Sequence, residues 1–141
     1  MNNLNVDYRF SVAPMMGVTT PSARYMYRLI SKEAVLFTEM IASQALHRGD
    51  YKKLLRKENI ERPVILQVGG SDIGLLKYST SLANKFDYQG INLNVGCPSK
   101  KVSQGKMGAC LMKAELVRDC LSGMREETSM DVSLKCRIGV D

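Results

Sequence analysis

Short β-favouring runs alternate five times with longer segments of helical character, and this alternation constrains the fold more than any other feature. Residues 10–15 (Phe-Ser-Val-Ala-Pro-Met) open the series, and residues 34–40, 64–68, 90–95 and 132–138 continue it. Helix signals lie between them. Thr20-Pro21 reads as an N-cap followed by a first-turn proline. Arg62-Pro63 stops a basic stretch that is helical or irregular. Gly69-Gly70-Ser71-Asp72 turns the third strand into a helix ending near Lys85, and a further helix is predicted from about Ala114 to Glu126. Strands alternating with helical segments build right-handed βαβ units around a parallel sheet.

Two architectures satisfy that pattern, an open doubly wound sheet and a (β/α)8 barrel. No GxGxxG follows the first strand, as a dinucleotide-binding sheet would usually require. The polar residues favour the barrel. Met15, Glu39, Gln67, Asn94 and the pair Lys135 and Arg137 fall near the C-terminal ends of successive strands, where barrel enzymes assemble their sites. The two-residue period puts Asn92 and Asn94 on one face and Ile91, Leu93 and Val95 on the other. It separates Ser133, Lys135 and Arg137 from Val132, Leu134 and Cys136 in the same way. Apolar residues are expected to face outer helices, and polar ones the barrel axis and mouth. A full barrel has eight strands and typically about 250 residues. The expected fold is therefore α/β, the first five strands of a (β/α)8 TIM barrel. Residues 1–141 form the N-terminal part of one catalytic domain, with two open strand edges that invite pairing.

Composition narrows the class. With 45% hydrophobic and 24% charged residues the chain suits one globular core. Its polar start lacks the pattern of a signal peptide, and no apolar run approaches the roughly 20 residues that span a bilayer. A soluble, cytoplasmic protein without a membrane partner is expected. Cysteines at 97, 110, 120 and 136 form no CxxC pair or zinc pattern, and His47 is the single histidine, so no metal is expected. Cys110, Cys120 and Cys136 read as structural thiols. The formal charge of +6, densest around Arg48 and Lys52 to Lys57, suits a polyanionic partner. It suits a solvated basic surface equally.

Cys97 stands apart. Gly96 lets the backbone turn sharply and Pro98 fixes the exit direction, which displays the cysteine on a loop above the fourth strand. A thiol with an ordinary pKa of about 8.5 is mostly protonated at neutral pH and can donate its proton unaided. A nucleophile would want a base, and only His47 is available. Composition thus favours an acid, and spacing alone leaves a buried packing cysteine open.

The run Ile91-Asn92-Leu93-Asn94-Val95-Gly96-Cys97-Pro98-Ser99 resembles the signature of the tRNA-dihydrouridine synthases. Ala13-Pro14-Met15-Met16 with Thr19, Thr38-Glu39-Met40, Leu66 to Gly70, Gly108 to Met112 and Lys135 to Gly139 resemble further blocks, in family order, from about Phe10 to Asp141. NLNVGCPS with its flanking GGSD is most similar to the bacterial subfamily A type, which modifies D-loop uridines. The resemblance implies a TIM barrel binding FMN at its mouth, followed by a helical domain that grips tRNA. That domain and the remaining strands lie outside these residues. By motif, Pro14, Met15 and Met16 would contact the flavin, Gln67 its edge, and Lys135 its N1–C2 side, where a cation stabilises reduced flavin. Asn94, Lys100, Lys101 and Arg137 would meet the extruded uridine or adjacent RNA, and Lys106 lies in the same loop. The implied reaction draws electrons from NADPH, delivers hydride to C6 of the uracil and a proton from Cys97 to C5, and requires the base to leave its stack. Glu39 matches a block without a role. Thr20 replaces the aspartate common in the family, which changes the capping of the first loop. The family's FMN-phosphate region is absent, so this chain alone is expected to hold flavin weakly. Two other readings remain, a flavin barrel dehydrogenase of free pyrimidines and an inactive partial barrel that binds RNA or self-associates.

Overall fold

The structure, a computed structural model, describes residues 6–99, 102 and 104–139. Its strands are β1 (Ser11–Val12), β2 (Val35–Phe37), β3 (Ile41–Ala42), β4 (Val64–Gly69), β5 (Gly90–Asn94) and β6 (Asp131–Lys135). The helices are α1 (Pro21–Ile30), α2 (Ser43–Arg48), α3 (Tyr51–Leu54), α4 (Ile73–Lys85) and α5 (Ala114–Glu126), with 3₁₀ turns at Asn59–Glu61 and Gly108–Leu111. Every described strand pair is parallel, in the order β1-β2-β4-β5-β6, with β3 also on β4.

The expected second strand, residues 34–40, is broken. β2 pairs with the start of β4 (Leu36 opposite Val64) and β3 with its end (Ile41 opposite Val68), so the two share one lane of the sheet. The Thr38 hydroxyl explains the break. It accepts from the Gln67 N–H at 3.0 Å, replacing a backbone carbonyl, and it donates to the Glu39 carbonyl at 2.7 Å. The chain can leave the ladder at Thr38–Met40 without orphaning the Gln67 amide. The sheet thus has five lanes, as the alternation predicts. β1 is shorter than the expected 10–15 run.

These lanes curl. The Tyr8 hydroxyl, just before β1, donates to Asp131 Oδ2 at the start of β6 at 3.2 Å, joining the neighbourhoods of the two outermost strands. Ser11, Phe37, Asn92 and Ser133, from four strands, line one concavity of about 380 Å³. This is the inner face of a partial barrel. Burial and, after it, the charge of Asp131 push the Tyr8 phenol up to about 12 from an ordinary 10. Tyr8 therefore stays protonated while an unfolded tyrosine ionises, so folding stability that is complete below pH 10 falls as pH rises towards 12. A tyrosinate absorbance titration is expected to show a component emerging only near pH 12, which Tyr8→Phe removes.

The outer face carries the core. β4 is buried along its whole length, as a central parallel strand should be. Leu66, Val68, Ile91, Leu93 and Val95 pack with Leu76 and Ala83 of α4 and with Cys120 and Met124 of α5. Thr20 caps α1, its Oγ1 accepting from the Ala23 N–H at 3.3 Å. Asp72 caps α4 through the Leu75 N–H at 3.0 Å.

α1 inverts the usual pattern. Arg24 and Arg28 point inward, while Tyr25, Met26, Leu29 and Ile30 are exposed. Arg24 Nε donates to Glu61 Oε2 at 2.7 Å with both side chains buried, and its Nη1 donates to the Thr19 carbonyl at 2.8 Å. Arg28 donates to the carbonyls of Ser31, Lys32, Ala34, Glu61 and Pro63. The two arginines tie α1 to the chain on either side of β2. The alternation rule fails only at β6, where Leu134 and Cys136 are exposed rather than packed. Cys136 is therefore not the structural thiol expected: it lies just past β6 and, with Leu134, lines an open groove beside α5 instead of packing beneath it.

Candidate functional site

Strand ends and the loops that follow them converge on a cleft of about 810 Å³. Pro14 and Met16 follow β1, Met40 precedes β3, Asn94 and Cys97 close β5, and Lys135 and Arg137 end β6. Parallel strands present their C-terminal ends together, so side chains far apart in sequence meet there.

The floor beneath the cleft is a ladder of amides. Strand register puts Gln67 opposite Asn92 and Asn92 opposite Ser133. Gln67 Nε2 donates to Asn92 Oδ1 at 2.8 Å, and Asn92 Nδ2 donates to Ser133 Oγ at 2.9 Å. Asn94 Nδ2 donates to Gln67 Oε1 at 3.0 Å. Asn94 Oδ1 then accepts from the Gly96 and Cys97 N–H groups, at 3.2 and 3.1 Å. This is the local turn that an asparagine side chain builds with amides two and three residues ahead.

Cys97 is held at both ends of its peptide. Asn94 takes its N–H, and the Ala109 N–H donates to its carbonyl at 2.9 Å. That second contact depends on Gly108, whose φ of +70° suits glycine. A Cβ there would also collide with the Cys97 carbonyl oxygen and with Val102 Cγ1. Gly96 works likewise against β6, since a Cβ would stand 3.1 Å from the Cys136 carbonyl carbon. The thiol is half-buried at the cleft rim. His47 is elsewhere, edge-on to Tyr78 with ring centroids 5.5 Å apart. No histidine base lines the cleft beside Cys97.

Glu39 acquires a place. Its Oε1 accepts from the Gly17 N–H at 2.7 Å, pinning the loop after β1 that carries Met16. Within that loop Thr19 Oγ1 accepts from the Met15 N–H and donates to the Met15 carbonyl, both at 3.1 Å.

Of the residues singled out in the sequence, Pro14, Met16, Asn94, Cys97, Lys135 and Arg137 meet in this cleft. Met15 is exposed outside the lining, with its backbone taken by Thr19, and Gln67 is buried below it. Lys100 and Lys101 lie outside the described residues; Lys106 is exposed. Sequence reasoning overlooked Met107, which lines the cleft beside Met40, and the use of Gly108 as a backbone contact. The Gly108 to Met112 block signalled the latter. Among the described residues no cluster of His, Cys, Asp or Glu could hold a metal, and no helix is long and apolar enough to cross a membrane.

Residues 11–141 match the family model described as dihydrouridine synthase (Dus). A tRNA-dihydrouridine(20/20a) synthase of Yersinia pestis is 47% identical over 134 residues, covering 94% of this chain and 39% of that protein. Those of Pasteurella multocida (48% over 134 residues, 94% and 41% covered) and Xylella fastidiosa (45% over 136 residues, 96% and 41%) are similarly related. The chain thus spans about two-fifths of the length of these curated relatives. A match over nearly all its residues, on a half-barrel whose strand ends bring the signature blocks together, shows that this chain belongs to the dihydrouridine synthase family.

Proposed function

We propose that the protein carrying this chain reduces a D-loop uridine of tRNA to 5,6-dihydrouridine, with Cys97 as proton donor and FMN in the cleft. The observation that carries this is the presentation of Cys97: its backbone is clamped on both sides while its thiol stands at the rim of a cleft lined by no histidine. A positioned thiol without a neighbouring base is suited to giving up a proton. The relatives' names point to uridines 20 and 20a.

The cleft suits a flavin. Its volume lies within the roughly 300–1,000 Å³ of small-molecule sites. Pro14, Met16 and Met40 offer soft apolar contacts, and Lys135 offers a cation for an electron-rich ring edge. Met15, whose side chain is exposed, and Gln67, which underlies the cleft through its bond from Asn94, complete the set assigned to the flavin. When bound, FMN supplies to C6 of the uracil the hydride that NADPH provides. Cys97 gives its proton to C5. Asn94, Arg137, Lys100 and Lys101 orient the base and its phosphates in this reading. A uracil reaching a cleft of this depth must leave its stack, as bases do in other enzymes that act on them. Such a protein works on tRNA in the cytoplasm.

Deleting the gene is expected to remove dihydrouridine from tRNA positions 20 and 20a, as read by nucleoside mass spectrometry, and restoring it is expected to return the modification. Unchanged dihydrouridine at both positions would overturn the reading. Flavin-spectrum titration of the chain reads FMN binding separately.

A further inference from the structure

The amide ladder under the cleft runs in one direction. From the Cys97 N–H, each bond passes through the carbonyl of one side-chain amide and out through its nitrogen: Asn94, then Gln67, then Asn92, ending on Ser133 Oγ. Turning Gln67 would set like atoms against each other in two bonds at once; turning Asn92 would do so at Gln67 Nε2, while the Ser133 hydroxyl could donate instead of accept. Amides aligned head to tail polarise one another, which strengthens the terminal acceptor. That acceptor is Asn94 Oδ1, which grips the Gly96 and Cys97 amides. Gln67 and Asn92 are 1% and 3% exposed, so water cannot take over a lost partner.

We infer that Asn92, two residues before Asn94 on the same face of β5 and bonded to Gln67 and Ser133 rather than to the Cys97 loop, is a positioning residue for Cys97. It sets Gln67, Gln67 sets Asn94, and Asn94 sets the loop. Ser133, on a separate strand, anchors the far end and makes the loop geometry depend on correct pairing of β5 with β6. Asn92 thus governs where the thiol stands without touching it. The consequence for catalysis rests on the reading of Cys97 as proton donor, but the positioning itself does not.

Amide hydrogen exchange measured by NMR on this chain tests it. Asn92→Leu leaves Gln67 Nε2 without an acceptor and frees that amide to turn. Exchange at the Gly96 and Cys97 amides is expected to accelerate about ten-fold beyond any change at the Leu66 and Leu93 amides, which report general stability. Asn92→Asp keeps the oxygen that Gln67 Nε2 needs and lets the Ser133 hydroxyl donate to the other oxygen, so it is expected to restore protection at Gly96 and Cys97. The alkylation rate of the Cys97 thiol should follow the same order, shifted in Asn92→Leu and close to wild type in Asn92→Asp. If Gly96 and Cys97 change only in step with Leu66 and Leu93, or if Asn92→Asp fails to restore them, the positioning role is wrong. None of these readouts involves uridine reduction, so their failure leaves the functional reading untouched, and intact dihydrouridine in a gene-deletion strain leaves the ladder untouched.

Discussion

Cys97→Ala is expected to slow uridine reduction by about 10²–10⁴-fold, the usual contribution of a positioned general acid. The substitution is clean for a structural reason. Cys97 is held through its N–H, by Asn94, and through its carbonyl, by Ala109, and alanine keeps both. The loop, the Asn94 turn and the Gly108 contact therefore survive while the proton is lost. In the protein that carries this chain, the variant should still bind FMN and accept electrons from NADPH, and unmodified tRNA should gain almost no dihydrouridine. Rates of flavin reduction and of dihydrouridine formation, measured side by side, separate the two half-reactions. Normal tRNA reduction would remove Cys97 from its role. Loss of flavin reduction as well would mean that the thiol supports the cleft rather than the proton transfer.

The second large effect lies away from the cleft. Glu61→Ala is expected to cost about 3–5 kcal/mol, because it strands the buried Arg24 guanidinium without its counter-charge. The carboxylate does two things at once: Oε2 accepts from Arg24 Nε at 2.7 Å, and Oε1 accepts from the Glu58 N–H at 2.7 Å. With total stabilities of about 5–15 kcal/mol for ordinary domains, such a loss brings the chain close to unfolding. Glu61→Gln keeps an oxygen for one of these donors and should cost less. Replacing both partners by apolar residues, Arg24→Met with Glu61→Leu, should recover most of the loss, since an ion pair of this kind often does no better than packed hydrocarbon. Urea midpoints followed by circular dichroism give the comparison. A cost below about 1 kcal/mol for Glu61→Ala would show that water reaches Arg24 when its partner is removed.

The alternation of β-favouring and helical segments was sufficient for the five parallel lanes, because parallel strands need crossovers and each crossover leaves a helical period in the chain. The faces of β5 could be read from the two-residue period of a strand, as Asn92 and Leu93 must point opposite ways. The signature blocks, read by resemblance, brought Pro14, Met16, Asn94, Cys97, Lys135 and Arg137 forward as one site, and the strand ends do gather them. Three things depended on the tertiary structure. The break between β2 and β3 arises from one hydroxyl, Thr38, meeting an amide 29 residues away, and no local pattern records such a meeting. The inward turn of Arg24 and Arg28 runs against the rule that arginines face water; the Glu61 carboxylate, the distant carbonyls of Glu61 and Pro63, and the nearer carbonyls of Thr19, Ser31, Lys32 and Ala34 make it tolerable. The third is the link from Ser133 to Cys97. Local sequence supplied the residue types and their faces, while the register of three strands decided which amide meets which. Hydrogen bonds are directional and short, so they are set by that register and not by composition.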